Sequence, residues 1–274
     1  GASGFVGRQT VDYFAKHLEV KSSGLTWALA GRSADKLEAV RKASGAKQAG
    51  IVVAEAHDAA AMDALARNAK VVLSTAGPFA LYGSELLAAC VRHGTHYVDI
   101  TGETPWVRGM IDQHHADAQR KGARIIPFCG FDSIPSDLSA HLANAAMLER
   151  YGEACVSTKV AFSIRGGFNG GTLASLFNML GSGQSNAMAD PFLLNPTGLR
   201  PSSTAAHADP LGPRRDADFG AWLGPFMMST INTRVVRRSA ALLGYADGYQ
   251  YQEYLRLGKG PLAAVAATTL SVGS

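Results

Sequence analysis

The chain opens on Gly1-Ala2-Ser3-Gly4-Phe5-Val6-Gly7-Arg8, a turn that few folds can use. Gly1 allows a tight bend, Gly4 lets the backbone approach a pyrophosphate, and Gly7 permits close packing of a helix on a sheet. Ser3, Phe5 and Val6 complete the turn. The amides between Gly4 and Arg8 then face an anion with the helix dipole behind them. Taken alone, the pattern fits a structural turn equally well. Such a turn normally follows a buried strand, and none stands before Gly1. On this reading the chain is a fragment whose sheet lacks a central strand and which, in isolation, binds cofactor poorly.

The context of the turn decides its meaning. From Gly1 to about Asn144 the sequence alternates helical and short apolar strand segments. Strands are predicted at Thr26–Ala30, Ile51–Ala54, Val71–Thr75, Tyr97–Ile100 and Arg124–Phe128. Helices are predicted at Val6–Leu18, Ala34–Ala43, Ala59–Asn68, Ser84–His93 and Pro105–Lys121. Strands as continuously apolar as Val71-Val72-Leu73 are covered on both faces, so the alternation predicts an α/β fold with a doubly wound parallel sheet. The rhythm changes beyond Cys155. Domains are therefore placed at 1–150 and 151–274, the second an α+β domain incomplete at its C-terminal end. It begins with a strand-like run, Val156–Ile164, and a helical stretch, Thr172–Leu180. Residues 195–220 are rich in Pro, Ser, Gly and Ala and read as a flexible loop.

Composition narrows the function classes. The 274 residues are 47% hydrophobic and 18% charged, with a formal net charge of +4. That balance suits an anionic small molecule and lacks the basic stripe of a nucleic-acid binder. The three cysteines, Cys90, Cys129 and Cys155, form no CxxC pair and point to a reducing, cytoplasmic compartment. Neither His93/His96 nor the adjacent His114 and His115, which point about 100° apart on a helix, suits a shared metal, so no metal site is assigned. The apolar run Pro261–Val272 reads either as the start of a buried helix or as a membrane-associating one. A peripheral lipid contact and a homodimer both stay open.

The predicted strand ends carry the chemistry. Where an NAD site places Asp or Glu to meet the ribose 2′-hydroxyl, this chain has Arg32 and Ser33, with Lys36 one helical turn on. A carboxylate there repels a 2′-phosphate, whereas arginine binds it with paired, charge-assisted hydrogen bonds. This favours NADPH over NADH; the alternative is a solvated surface arginine. Asp58 is read equally as an adenine contact or a helix N-cap. Thr75, Ala76, Gly77 and Pro78 end the next strand with small residues that let the backbone approach a ribose or nicotinamide. Two further strand ends are polar, Asp99 to Glu103 and Cys129 to Asp137. Tyr82, Asp99, Glu103 and Asp132 are accordingly the acid–base candidates, although each taken singly also reads as a cap or hydrogen-bond anchor. No tyrosine has a lysine four residues later, so the dyad of the short-chain dehydrogenases is absent.

In series, GASGFVGR, WALAGRS, VVLSTAGPFALYGSELLAAC, THYVDITGE, IIPFCGFDSIPSDL and PFMMSTINTRVVRRSAALLGY resemble the saccharopine dehydrogenase-like oxidoreductases, in particular their bacterial trans-acting enoyl reductase branch. The resemblance covers most of the chain and is weakest over 195–220. It implies a Rossmann-type domain binding NADP(H) through Gly1 to Gly7 and Arg32, followed by a second α+β domain. It also implies reduction of a carbon–carbon double bond in an acyl or polyketide lipid intermediate, either a small molecule or carrier-bound. No catalytic residue is carried over.

The residues between Ala161 and Leu199 fit that branch. Only Arg165 and Asp190 are charged there, while Phe162, Ile164, Phe168, Leu173, Leu176, Phe177, Met179 and Leu180 are apolar. An acyl substrate suits them better than saccharopine, although a packed core or dimer interface accounts for them equally. Arg234, Arg237 and Arg238 lie at spacings that share a face if their segment is helical, a face that reads as solvated or as a phosphate contact for a carrier or coenzyme A. The alternatives are a saccharopine-type C–N dehydrogenase and a non-catalytic NADP-binding protein at lipid surfaces.

Overall fold

The computed structural model describes residues 1–164, 188–201 and 204–272. They form two compact units, 1–129 and, from residue 130 onward, the remainder of the described chain. The first unit alternates helix and strand as the periodicity predicts. It runs α1 (Phe5–Lys16), α2 (Leu18–Ser22), β1 (Ala28–Gly31), α3 (Ala34–Ala43), β2 (Gly50–Val53), α4 (Ala59–Arg67) and β3 (Val71–Ser74). It continues through α5 (Phe79–Tyr82), α6 (Ser84–His93), β4 (His96–Asp99), α7 (Thr104–Lys121) and β5 (Ile125–Ile126). Helices α6 and α7 stop at Gly94 and Gly122 in the left-handed conformation, which a residue without Cβ adopts at little cost.

All strands of this unit pair in parallel, in two groups, β1–β2 and β3–β4–β5. Parallel neighbours need a crossover, and the intervening helices supply it. One core forms where α1 and α3 cover β1: Val11, Ala15, Leu29, Leu37 and Val40 are buried together. Gly1 lies at the carboxyl ends of both groups. Its nitrogen donates to Ala30 O (3.2 Å), and a Cβ built on it falls 2.7 Å from backbone atoms of Thr75 and Ala76.

The second unit begins with α8 (Ile134–Tyr151) and β6 (Ser157–Phe162). It continues with β7 (Arg214–Asp216), β8 (Ala221–Pro225), α9 (Ser229–Leu243), β9 (Gln250–Gly258) and α10 (Pro261–Val272). The sheet order is β6-β9-β8-β7, with β6 parallel to β9 and the other pairs antiparallel. The helix α8, which the sequence rhythm assigns to the first domain, packs here through Ala140 against Val236 and Ala240 of α9. The chain therefore divides near residue 130 rather than 150.

The stretch 195–220, expected as a flexible loop, contains two short 3-10 turns, Thr197–Leu199 and Ala205–His207, and the strand β7. Its fold follows from anchoring side chains: Asn195 Nδ2 donates to Leu199 O (3.2 Å), and the buried His207 ring packs edge-on against Phe192. The C-terminal helix α10 buries Ala263 and Ala267 and leaves Leu262 and Val265 exposed. Among the described residues no helix is long and apolar enough to cross a membrane.

Candidate functional site

The opening turn has the geometry its glycines predict. Gly4 N–H donates to Gly1 O (3.0 Å) and Ala2 N–H to Ala30 O (3.2 Å), which closes the bend against the end of β1. A Cβ on Gly7 falls 2.2 Å from Gly1 O, so only glycine lets α1 start this close to the turn. Gly4 is the N-cap of α1, no side chain caps the helix, and its first turn holds no acidic residue. Among the described residues the amides of Phe5, Val6 and Gly7 have no hydrogen-bond partner. A helix N-terminus with bare amides and no carboxylate beside it is built to receive an anion.

Arg32 follows β1 directly and is exposed, with no hydrogen-bond or ion-pair partner among the described residues. Ser33, next to it, N-caps α3 by accepting from Lys36 N–H (3.4 Å), and the Lys36 side chain is exposed. Parallel register sets Gly31 beside Val53. The chain leaving β2 therefore emerges next to Arg32. Five residues beyond β2, Asp58 caps α4, its Oδ1 accepting from Ala61 N–H (3.0 Å).

Residues 75–78 leave β3 against the glycine turn, since Thr75 and Ala76 are the atoms nearest Gly1. Beyond Pro78 the short helix α5 is held by Glu103. Its Oε1 accepts from Phe79 N–H (2.7 Å) and its Oε2 from Ala80 N–H (2.9 Å). Glu103 is buried and does not face a crevice as an acid–base group; it caps a helix whose own sequence offers no capping residue. Tyr82, at the end of α5, is partly exposed, and its hydroxyl makes no hydrogen bond among the described residues. Its ring lies 5.5 Å from that of His57. That pairing is invisible in the sequence, because 25 positions separate two residues that the ends of β2 and β3 bring together.

Asp99 is also enclosed rather than open to a crevice. Its Oδ1 accepts from Thr101 N–H (3.0 Å) and Phe128 N–H (3.2 Å), and its Oδ2 from the Tyr97 hydroxyl (2.9 Å). Burial raises its carboxyl to about 6 against these stabilising hydrogen bonds. Burial pushes the enclosed Cys90 thiol up to about 12, so this cysteine stays protonated. Asp132 belongs to the second unit. Its side chain is exposed and its carbonyl accepts from Asn232 Nδ2 (2.9 Å), while desolvation by the surrounding protein raises its carboxyl.

The second unit corrects the reading of its arginines. Arg234 and Arg237 are 1% and 2% exposed, so the face they share is not solvated. Arg234 pairs with Asp209 and donates to the carbonyls of Met188 (2.7 Å) and Asp190 (3.2 Å). Arg237 donates to Pro191 O (3.1 Å) and Tyr251 O (3.0 Å), with its guanidinium 5.7 Å from the centre of the Phe192 ring. Arg238 donates to Leu194 O (2.5 Å). Three arginines thus hold one irregular segment whose carbonyls find no strand partner. Of the apolar residues named for an acyl substrate, Phe162 stacks on Phe226 (4.9 Å) and Ile164 is exposed. Arg165, Phe168, Leu173, Leu176, Phe177, Met179 and Leu180 lie outside the described residues, as does the predicted helix Thr172–Leu180. Among the described residues no group of three or more His, Cys, Asp or Glu is placed to hold a metal ion.

Comparison with known proteins agrees with this geometry. Residues 1–126 match the family model described as the saccharopine dehydrogenase NADP binding domain. The chain is 38% identical, over 296 residues, to a trans-acting enoyl reductase of Mycobacterium leprae, covering 100% of this chain and 69% of that protein. It is 39% identical, over 282 residues, to a protein of Mycobacterium tuberculosis named as a candidate trans-acting enoyl reductase, covering 97% of this chain and 66% of the relative. The chain therefore spans about two thirds of the length of these relatives. Among solved structures, an apo saccharopine dehydrogenase (L-Glu forming) from Saccharomyces cerevisiae aligns with a TM-score of 0.47 and 19% identity, over 59% of this chain and 33% of that one.

Proposed function

Because this chain belongs to the trans-acting enoyl reductase family and carries an NADP-binding domain of the saccharopine dehydrogenase type, we propose that it serves NADPH-dependent reduction of a carbon–carbon double bond in an apolar acyl substrate. The observation that carries the cofactor half of this reading is a juxtaposition. The uncapped amides of α1 and the Arg32 side chain, both without partners among the described residues, stand at the carboxyl ends of the same parallel strands. The amides suit the pyrophosphate and the guanidinium suits a 2′-phosphate. NADPH, when bound, supplies a hydride to the β-carbon of an enoyl group, and the α-carbon then takes a proton. Tyr82, partly exposed and with an uncommitted hydroxyl, is our candidate for delivering that proton. Glu103 serves it indirectly by fixing α5.

The substrate half rests on the relatives' names and on the apolar composition of residues 161–199. It is tested by following NADPH oxidation with enoyl thioesters of increasing chain length, with saccharopine alongside. Oxidation with the thioesters alone is expected. Turnover of saccharopine in their place would overturn the reading in favour of C–N chemistry. Tight NADPH binding with neither turned over would favour a non-catalytic role.

A further inference from the structure

We propose that Asp99 is the positioning residue for the nicotinamide half of the cofactor site, holding Thr101 and the Phe128–Cys129 corner at the carboxyl edge of the sheet. The inference rests on the NADP reading of that edge. The glycine turn lies between the ends of β1 and β3, and Arg32 stands on the β1–β2 side. A dinucleotide with its pyrophosphate on the turn and its 2′-phosphate at Arg32 must lay its other half over the ends of β3, β4 and β5. Asp99 is the last residue of β4, level with Ser74 of β3, and its neighbour Val98 is level with Ile126 of β5. It therefore sits beneath that half of the edge.

The hydrogen bonds of Asp99 join the two loops that leave β4 and β5. Its carboxylate, 0% exposed, accepts from Thr101 N–H in one loop and from Phe128 N–H in the other. Its own carbonyl accepts from Cys129 N–H (2.7 Å). Consecutive amides of the second loop are thus tied to a single residue.

The loop so tied is strained. Phe128, with φ 61, is the one non-glycine residue among the described chain in the left-handed region. A residue with a Cβ meets its own carbonyl there, and the conformation persists only where its surroundings over-determine it. Here two amide hydrogen bonds to Asp99 and a buried phenyl ring do so. The corner follows directly on the end of β5 and brings Cys129 N–H onto the carbonyl of Asp99. The raised carboxyl of Asp99 fits the same picture. A buried acid is a poor choice for packing alone, and here its oxygens are used to hold backbone amides.

The test compares two ligands by calorimetry on the full chain: NADPH, and adenosine 2′,5′-bisphosphate, which lacks the nicotinamide half. Asp99→Ala is expected to weaken NADPH by about tenfold and to leave the bisphosphate within about twofold. Asp99→Asn, whose side-chain oxygen still accepts both amides, is expected to recover most of that loss. If Asp99→Ala does not fold, Tyr97→Phe replaces it. Removing the hydroxyl on Oδ2 loosens the carboxylate, and a loss of about threefold is expected for NADPH alone. Equal weakening of both ligands, or no weakening of either, would overturn the proposal. Wild-type chain that binds neither ligand would instead overturn the cofactor reading beneath it.

Discussion

Arg32 and Arg237 are both arginines that the sequence puts forward for binding a phosphate, and the two units use them in opposite ways. Arg32 follows the end of β1, is exposed, and has no partner among the described residues. Arg237 is enclosed, and its guanidinium is divided between two backbone carbonyls and the face of Phe192. Burial lowers its ordinary pKa to about 10, with neighbouring carboxylates opposing the shift. The same contrast holds for the helices. The N-terminus of α1 carries bare amides, while the N-terminal amides of α5 are closed by a buried glutamate. A charge or a dipole serves a ligand only where the fold has not already spent it.

The largest effect should come from filling the turn. Gly7→Ala places a methyl where only 2.2 Å separates it from Gly1 O, so α1 must move. NADPH affinity, followed by fluorescence titration, is expected to fall by about 100-fold or more, close to 3 kcal/mol. Near-normal affinity would show that the bare amides of α1 are not the anion site. On the other side of the comparison, Arg237→Ala leaves Pro191 O and Tyr251 O without their donor. It is expected to cost roughly 3 kcal/mol of stability in chemical denaturation, with the NADPH Kd within about twofold. A variant of normal stability that binds NADPH poorly would reverse the roles assigned to the two arginines.

Arg32→Ala should do the converse and by a smaller margin. NADPH weakens by roughly 10-fold or more, NADH is unchanged, and Tm holds within about a degree, because an exposed unpartnered side chain stabilises little. Equal loss for both nucleotides would remove the 2′-phosphate assignment.

The smallest effect sharpens the role of Asp99. Its folded carboxyl titrates at about 6 against an ordinary 3.8, so the folded state holds the proton more tightly. Between those values stability falls as pH rises, and the contribution is lost once pH passes the folded value. Asp99→Asn should flatten that part of the stability profile, by roughly 1 kcal/mol or more between pH 4.5 and 7. Profiles of identical slope would mean that this carboxyl is ionised throughout the window.

Much of the first unit was legible in the residues. Apolar runs and helical patterns placed the parallel strands, but the expected cover on both faces does not hold in β3: Val71 and Leu73 are 54% and 45% exposed and alternate with the buried Val72 and Ser74. The opening glycines predicted a tight bend, which the bond from Gly4 N–H to Gly1 O closes, whereas the crowding at Gly7 comes from Gly1 and Ala2 of the turn itself rather than from a sheet. The polar strand ends were harder to read. Asp99, Glu103 and Tyr82 are all titratable and all near the carboxyl edge. Whether each faces outward depends on neighbours such as Phe79, Ala80 and Phe128, which lie more than 20 positions away in the first two cases. In the second unit the spacing of Arg234, Arg237 and Arg238 suits one helix, on which they lie, but each donates to a carbonyl of a segment more than 40 positions earlier. Arg234 and Arg237 have further partners in Asp209 and Tyr251.

The sequence by itself determined the alternation of the first unit, the glycine turn and the arginine beside it, since these depend on local sterics and on residues a strand's length apart. Tertiary structure alone decided which polar groups remain available. It enclosed Glu103, Asp99, Arg234 and Arg237 and left Arg32 and the Tyr82 hydroxyl without partners among the described residues. The physical reason is that a buried charge is tolerated only with partners, and those partners are brought in by long-range packing that no local pattern records.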